Sequence, residues 1–117
     1  MANLNDGEVV ITLGDDAYTL RPTLNAIRTL SRLHGGLRNT FQKVINQDFD
    51  GIAEIIKVGA SIPDKDNNAL SAKLFRAGLN DTTLMPVLDY IRCLMNGGKM
   101  PPETPDEPAA EASEGNA

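Results

Sequence analysis

The sequence predicts a mostly helical α+β domain: an N-terminal β-hairpin packed on about five short helices, followed by a disordered acidic C-terminal tail. Three observations carry this expectation. Residues 8–20 alternate apolar and polar positions on either side of Gly14-Asp15-Asp16, the period of a half-buried strand pair. From Thr23 onward apolar residues recur at spacings of three and four, broken by Gly, Pro, Asn and Asp. After Met100 no large apolar residue remains.

The hairpin comes first. Val9, Ile11 and Leu13 share one face of the first strand, and Tyr18 and Leu20 share a parity on the second. A turn centred on Gly14-Asp15 pairs Ile11 with Tyr18 and Val9 with Leu20. A turn centred on Asp15-Asp16 pairs Leu13 with Tyr18 and Ile11 with Leu20. Both registers present the same side chains on the same face, so the choice stays open. A lone two-stranded hairpin is marginal in water, and the helices are the support it needs.

Arg21-Pro22-Thr23 ends the strand and starts a helix. Pro22 offers no N–H to a ladder and holds Arg21 extended, while Thr23 is placed to cap the free helical N–H groups. Ala26, Ile27, Leu30 and Leu33 form the apolar stripe, with Arg28 and Arg32 together on the opposite face. His34 falls in the last turn, where a cation suits the dipole, and Gly35-Gly36 stops the helix.

The middle of the chain reads as helices joined by short polar turns. Leu37, Phe41, Val44 and Ile45 mark a second helix. Asp48 or Asp50 caps a third, whose stripe is Ile52, Ile55, Ile56 and Gly59 and which Pro63-Asp64 ends. Asn67 or Asn68 opens a fourth, carrying Leu70, Leu74 and Phe75 and closed at Gly78. Asn80 or Asp81 caps the fifth, with Pro86 expected to mark its true start and Gly97-Gly98 its end.

That fifth helix is more apolar than a surface helix requires. Leu84, Val87, Leu88, Ile91, Leu94 and Met95 cover a core stripe, and Met85, Tyr90 and Cys93 lie outside it or on its flank. Such a helix is either central to the core or shared with a partner. On the second reading Met85, Tyr90 and Leu94 are the candidate partner-binding residues.

The run from Gly7 to Leu37, GEVVITLGDDAYTLRPTLNAIRTLSRLHGGL, resembles the start of a tailed-phage family related to a gene transfer agent tail protein. Members are small tail assembly chaperones, sometimes labelled tail tube proteins. The shared features are an opening Gly-Glu-Val strand, a Gly-containing hairpin, a Tyr-Thr-Leu-Arg second strand and a Thr-started helix ending in Gly. The family often has a glutamate late in that helix, where this chain has Ser31 and Arg32. The resemblance covers about the first third of the chain. It implies a chaperone that binds the tape measure protein, helps recruit tail tube subunits and works in the host bacterial cytoplasm. The alternative is a structural subunit of the tail, in its tube or a junction. Self-association is left open.

Composition sets the bounds. The 117 residues make one domain, over residues 1–98, with a flexible Pro/Glu-rich tail over 99–117. That tail holds Pro101, Pro102, Pro105 and Pro108, five acids and one Lys, and buries too little to offset its ordering entropy. Without it the chain has eleven acids and ten bases, so the net charge of −5 is mainly a property of the tail. The simplest role for the tail is solubility; the second is to mimic nucleic acid or dock a basic partner. No apolar run approaches a membrane span, and no secretory leader is visible, so no membrane partner is expected.

No chemistry is expected either: no catalytic residue, no cofactor and no metal. His34 and Cys93 are lone representatives of their types, without zinc spacing. Asp15-Asp16 reads as a solvated turn. Asp64, Asp66, Asn67 and Asn68 lack the Gly and terminal Glu of a calcium loop. Gly35-Gly36 lacks the lysine of a phosphate loop. The last two helices could pass for a helix-turn-helix. They balance Lys73, Arg76 and Arg92 with Asp81 and Asp89, which argues against nucleic acid.

Overall fold

The computed structural model describes residues 6–101. Strands β1 (Val9–Leu13) and β2 (Asp16–Leu20) form an antiparallel hairpin. Five helices follow: α1 (Leu24–His34), α2 (Leu37–Ile45), α3 (Phe49–Gly59), α4 (Asn67–Ala77) and α5 (Asp81–Met95). A single 3-10 turn at Asp64–Asp66 leads into α4. The expected tail lies outside the described residues from position 102 onward. Lys99 and Met100 are described: the Met100 N–H donates to Asp6 Oδ1 at 3.2 Å and its thioether lies 3.7 Å from Cys93 Sγ.

The hairpin register is Val9 with Leu20, Ile11 with Tyr18 and Leu13 with Asp16, so Gly14-Asp15 is the turn. Gly14, at φ +66°, supplies the left-handed first position that a tight two-residue turn of this kind requires. Val9, Ile11, Leu13 and Leu20 are buried, while Val10 and Thr12 face outward. Each fully buried side chain of this size is worth roughly 1.5–3 kcal/mol. β1 lies on α5 and α4, and β2 on α3. Lys73 of α4 ties the second strand down: its ammonium lies 3.0 Å from Asp16 Oδ2 and donates to Tyr18 Oη at 3.2 Å. These bonds hold the Lys73 ammonium above the usual lysine range, Asp16 contributing most.

α3 is the hub and touches α1, α2, α4, α5 and β2. Its stripe buries Ile52, Ala53, Ile55 and Ile56, and Asp48 caps it by accepting from the Gly51 N–H at 3.0 Å. That bond, and secondarily Lys43 at 3.2 Å, pulls the Asp48 carboxyl below the usual range. Thr23 caps α1 through the Ala26 N–H at 3.0 Å, and Asn80 caps α5 through the Thr83 N–H at 3.3 Å.

Three details depart from the sequence expectation. In α1 the buried ridge is Ala26, Leu30 and His34, each four apart, and Leu33 is 52% exposed. In α4, Leu70 and Leu74 are buried but Phe75 is 78% exposed. Pro86 lies inside α5 rather than at its start. Its ring removes the bond to the Thr82 carbonyl, which is tolerated because Thr82 is exposed to water.

Candidate functional site

α5 is a core helix. It buries Thr83, Val87, Tyr90, Ile91, Cys93 and Leu94. The expected stripe through Leu84, Leu88 and Met95 is rotated by about one position: Leu84 and Leu88 are half-buried and Met95 is exposed. Ranking residues by apolarity alone passes over Thr83 and Tyr90, whose polar atoms can be buried once they are bonded. The expected partner set is corrected at Tyr90, which is fully buried and offers no free surface; Met85 is exposed, at 47%, and Leu94, 4% exposed, shows only an edge.

Tyr90 belongs to a junction where three elements meet. Its Oη donates to the Arg21 carbonyl at 2.7 Å, and the Arg21 N–H donates to the Gly59 carbonyl at 2.9 Å. Both backbone groups at the exit of the hairpin are therefore satisfied, one by α5 and one by α3. A Cβ on Gly59 would lie 3.0 Å from the Tyr90 ring and 3.1 Å from Leu20 Cδ2, so a larger residue here would press on both side chains. Burial pushes the Tyr90 phenol well above its ordinary range, the nearby Cys93 adding to it.

Just beyond this junction the packing opens. Pro22-Thr23 fixes where α1 begins, and the cap at Thr23 sets its rotation. Leu24 is consequently turned outward, 71% exposed at the first helical position. Between Leu24, Ile27, Leu94 and the Gly97-Gly98 backbone lies a groove of about 280 Å³. Two shallower, more open depressions adjoin it along α1, one sharing Ile27 and the other Leu24, and their linings add Asn25, Arg28, Ser31 and Arg32. Leu94 is thus a floor residue of this groove. The lining contains no acid, and among the described residues neither Arg28 nor Arg32 has an ion-pair partner. An apolar floor beside unpaired guanidinium groups suits a segment that brings apolar contacts and carboxylates together.

Several other titratable residues are used internally. His34 is buried, with Nδ1 3.1 Å from Thr40 Oγ1 and Nε2 2.8 Å from Glu54 Oε1. The Thr40 hydroxyl donates to the Gly36 carbonyl at 2.9 Å, so it accepts from Nδ1. The second nitrogen faces a carboxylate oxygen of α3. This network joins α1, α2 and α3. The sequence signal for it was the i, i+4, i+8 spacing of Ala26, Leu30 and His34. Cys93 is buried, and burial, then Asp89 and Asp6, push its thiol up, away from a reactive thiolate. Asp16 pairs with Lys73 and Asp64 with Lys57. Among the described residues no group of three or more His, Cys, Asp or Glu converges as a metal site, and no helix is long and apolar enough to cross a membrane.

Comparison of the chain with protein-family models, with curated proteins and with solved structures gives no match.

Proposed function

We propose that this chain is a phage or prophage tail assembly chaperone. It binds the tape measure protein in the host bacterial cytoplasm and helps recruit tail tube subunits, without catalysis. The observation that carries the reading is the open α1 groove, with Leu24, Ile27 and Leu94 beside Arg28 and Arg32. A long amphipathic client helix needs a reversible, non-covalent cover, and such a groove can take its apolar face while the arginines meet its acids. The resemblance of residues 7–37 supplies the identity of that client.

The test is co-expression of the tagged chain with the tape measure protein. A complex of fixed stoichiometry is expected, together with absence of the chain from finished particles by mass spectrometry. A second reading rests on the hairpin. The outer edge of β1 has no strand neighbour among the described residues, and a structural subunit of the tail tube or a junction would add a strand there. A high, fixed copy number in purified particles would favour that reading over the chaperone.

A further inference from the structure

We propose that the α1 groove has a resident occupant: the acidic C-terminal segment of the same chain, residues 102–117. Three observations converge on it. The first is position. Gly97 and Gly98 form one wall of the groove, and the Met100 contacts to Asp6 and Cys93 hold the chain close beyond them. The segment is therefore tethered near the mouth of the groove.

The second is reach. Sixteen residues extended at roughly 3.3 Å each span about 50 Å. The 11 residues of α1 rise only about 16 Å. The third is charge. Glu103, Asp106, Glu107, Glu111 and Glu114 are accompanied by no cation after Lys99, and the groove presents Arg28 and Arg32 without an acid.

This contact needs no large apolar anchor. Tethering gives the segment an effective concentration on the order of millimolar, so a weak charge-driven contact is populated. It is also screened by salt. Any acidic partner of the groove must displace it. That consequence rests on the chaperone reading, whereas the contact itself does not.

The test uses the full chain with a nitroxide label on Ser113→Cys; Cys93, buried and with its thiol pushed up, stays unlabelled. In low salt the amides of Leu24, Ile27, Arg28 and Arg32 should broaden at least threefold more than that of Phe75 on α4. The excess should vanish in 0.5 M salt, and in the variant carrying Arg28→Glu and Arg32→Glu. Both arginines are exposed, so that variant keeps the fold. Changing the five acids to Gln or Asn should move the α1 amide shifts to their high-salt positions. Equal broadening at α1 and α4 would overturn the proposal. So would broadening that arises only when labelled and unlabelled copies are mixed, since the occupant would then be a second copy. Neither outcome involves the tape measure protein, so failure here is distinct from failure of the chaperone reading.

Discussion

Two regions that meet at Arg21-Pro22 are built in opposite ways. On one side, Arg21, Gly59 and Tyr90 lock the hairpin exit to α3 and α5 through a backbone bond of 2.9 Å and a side-chain hydroxyl bond of 2.7 Å, with an aromatic ring packed on a glycine. On the other, Leu24 projects into solvent and the arginines beside it lack ion-pair partners among the described residues. α5 contributes to both: Tyr90 to the junction and Leu94, one turn later, to the floor of the groove. Stability and recognition separate at this boundary. Groups satisfied within the chain hold the fold, and groups left unsatisfied at the surface are free to meet something else.

The comparison breaks most visibly at the hairpin. Ile11→Asp places an unpaired charge at a fully buried position, and a loss of several kcal/mol is expected in chemical denaturation. A variant as stable as the parent would mean that the hairpin does not lean on α5. Gly59→Ala comes next. Its methyl meets the Tyr90 ring and Leu20, and overpacking of this kind costs about 1–3 kcal/mol. The helix propensity gained by alanine, up to about 1 kcal/mol, offsets part of this, so calorimetry should show a fall in Tm of a few degrees, given roughly 4–8 °C per kcal/mol for a domain of this size.

Tyr90→Phe sharpens the same point with a smaller effect. It removes the bond to the Arg21 carbonyl at a cost of about 1 kcal/mol. The pH dependence follows from the raised phenol. The unfolded chain ionises this group near pH 10.0 and the folded chain only at higher pH. Its contribution is therefore full below about pH 10 and is lost as pH rises toward the folded value. Alkaline melts should show the parent losing stability above that pH and the Phe variant losing less. Reversing Arg28 and Arg32 to Glu, on the other side, should change stability by no more than about 0.5 kcal/mol. A drop of several degrees in Tm would place those arginines in the fold rather than at its surface.

The architecture was legible because period carries it. The strand alternation of Val9, Ile11 and Leu13, and the stripe of Ile52, Ile55, Ile56 and Gly59, both emerge as read. The register of the hairpin was not legible, because both alternatives face the same residues inward; the turn at Gly14-Asp15 decides it. Polar residues made the rest opaque. His34 is buried because Thr40 and Glu54 wait on two other helices, and Tyr90 because a carbonyl 69 residues away accepts its hydroxyl. The spacing of Ala26, Leu30 and His34 marks the buried ridge of α1, but no local pattern announces the partners that wait on other elements. The groove was hidden for a related reason: Leu24 precedes the recognisable stripe of α1, and its exposure depends on where Thr23 caps the helix.

The central claim, that the α1 groove is the docking surface, is tested most directly by comparing affinities for the tape measure protein across two variant pairs. Leu24→Asp with Arg32→Glu alters the groove; Phe75→Asp with Met85→Lys alters exposed apolar residues of α4 and α5. A loss of at least tenfold, about 1.4 kcal/mol, is expected for the first pair and less than twofold for the second. Unchanged binding by a folded groove variant, with the loss in the second pair instead, would contradict it.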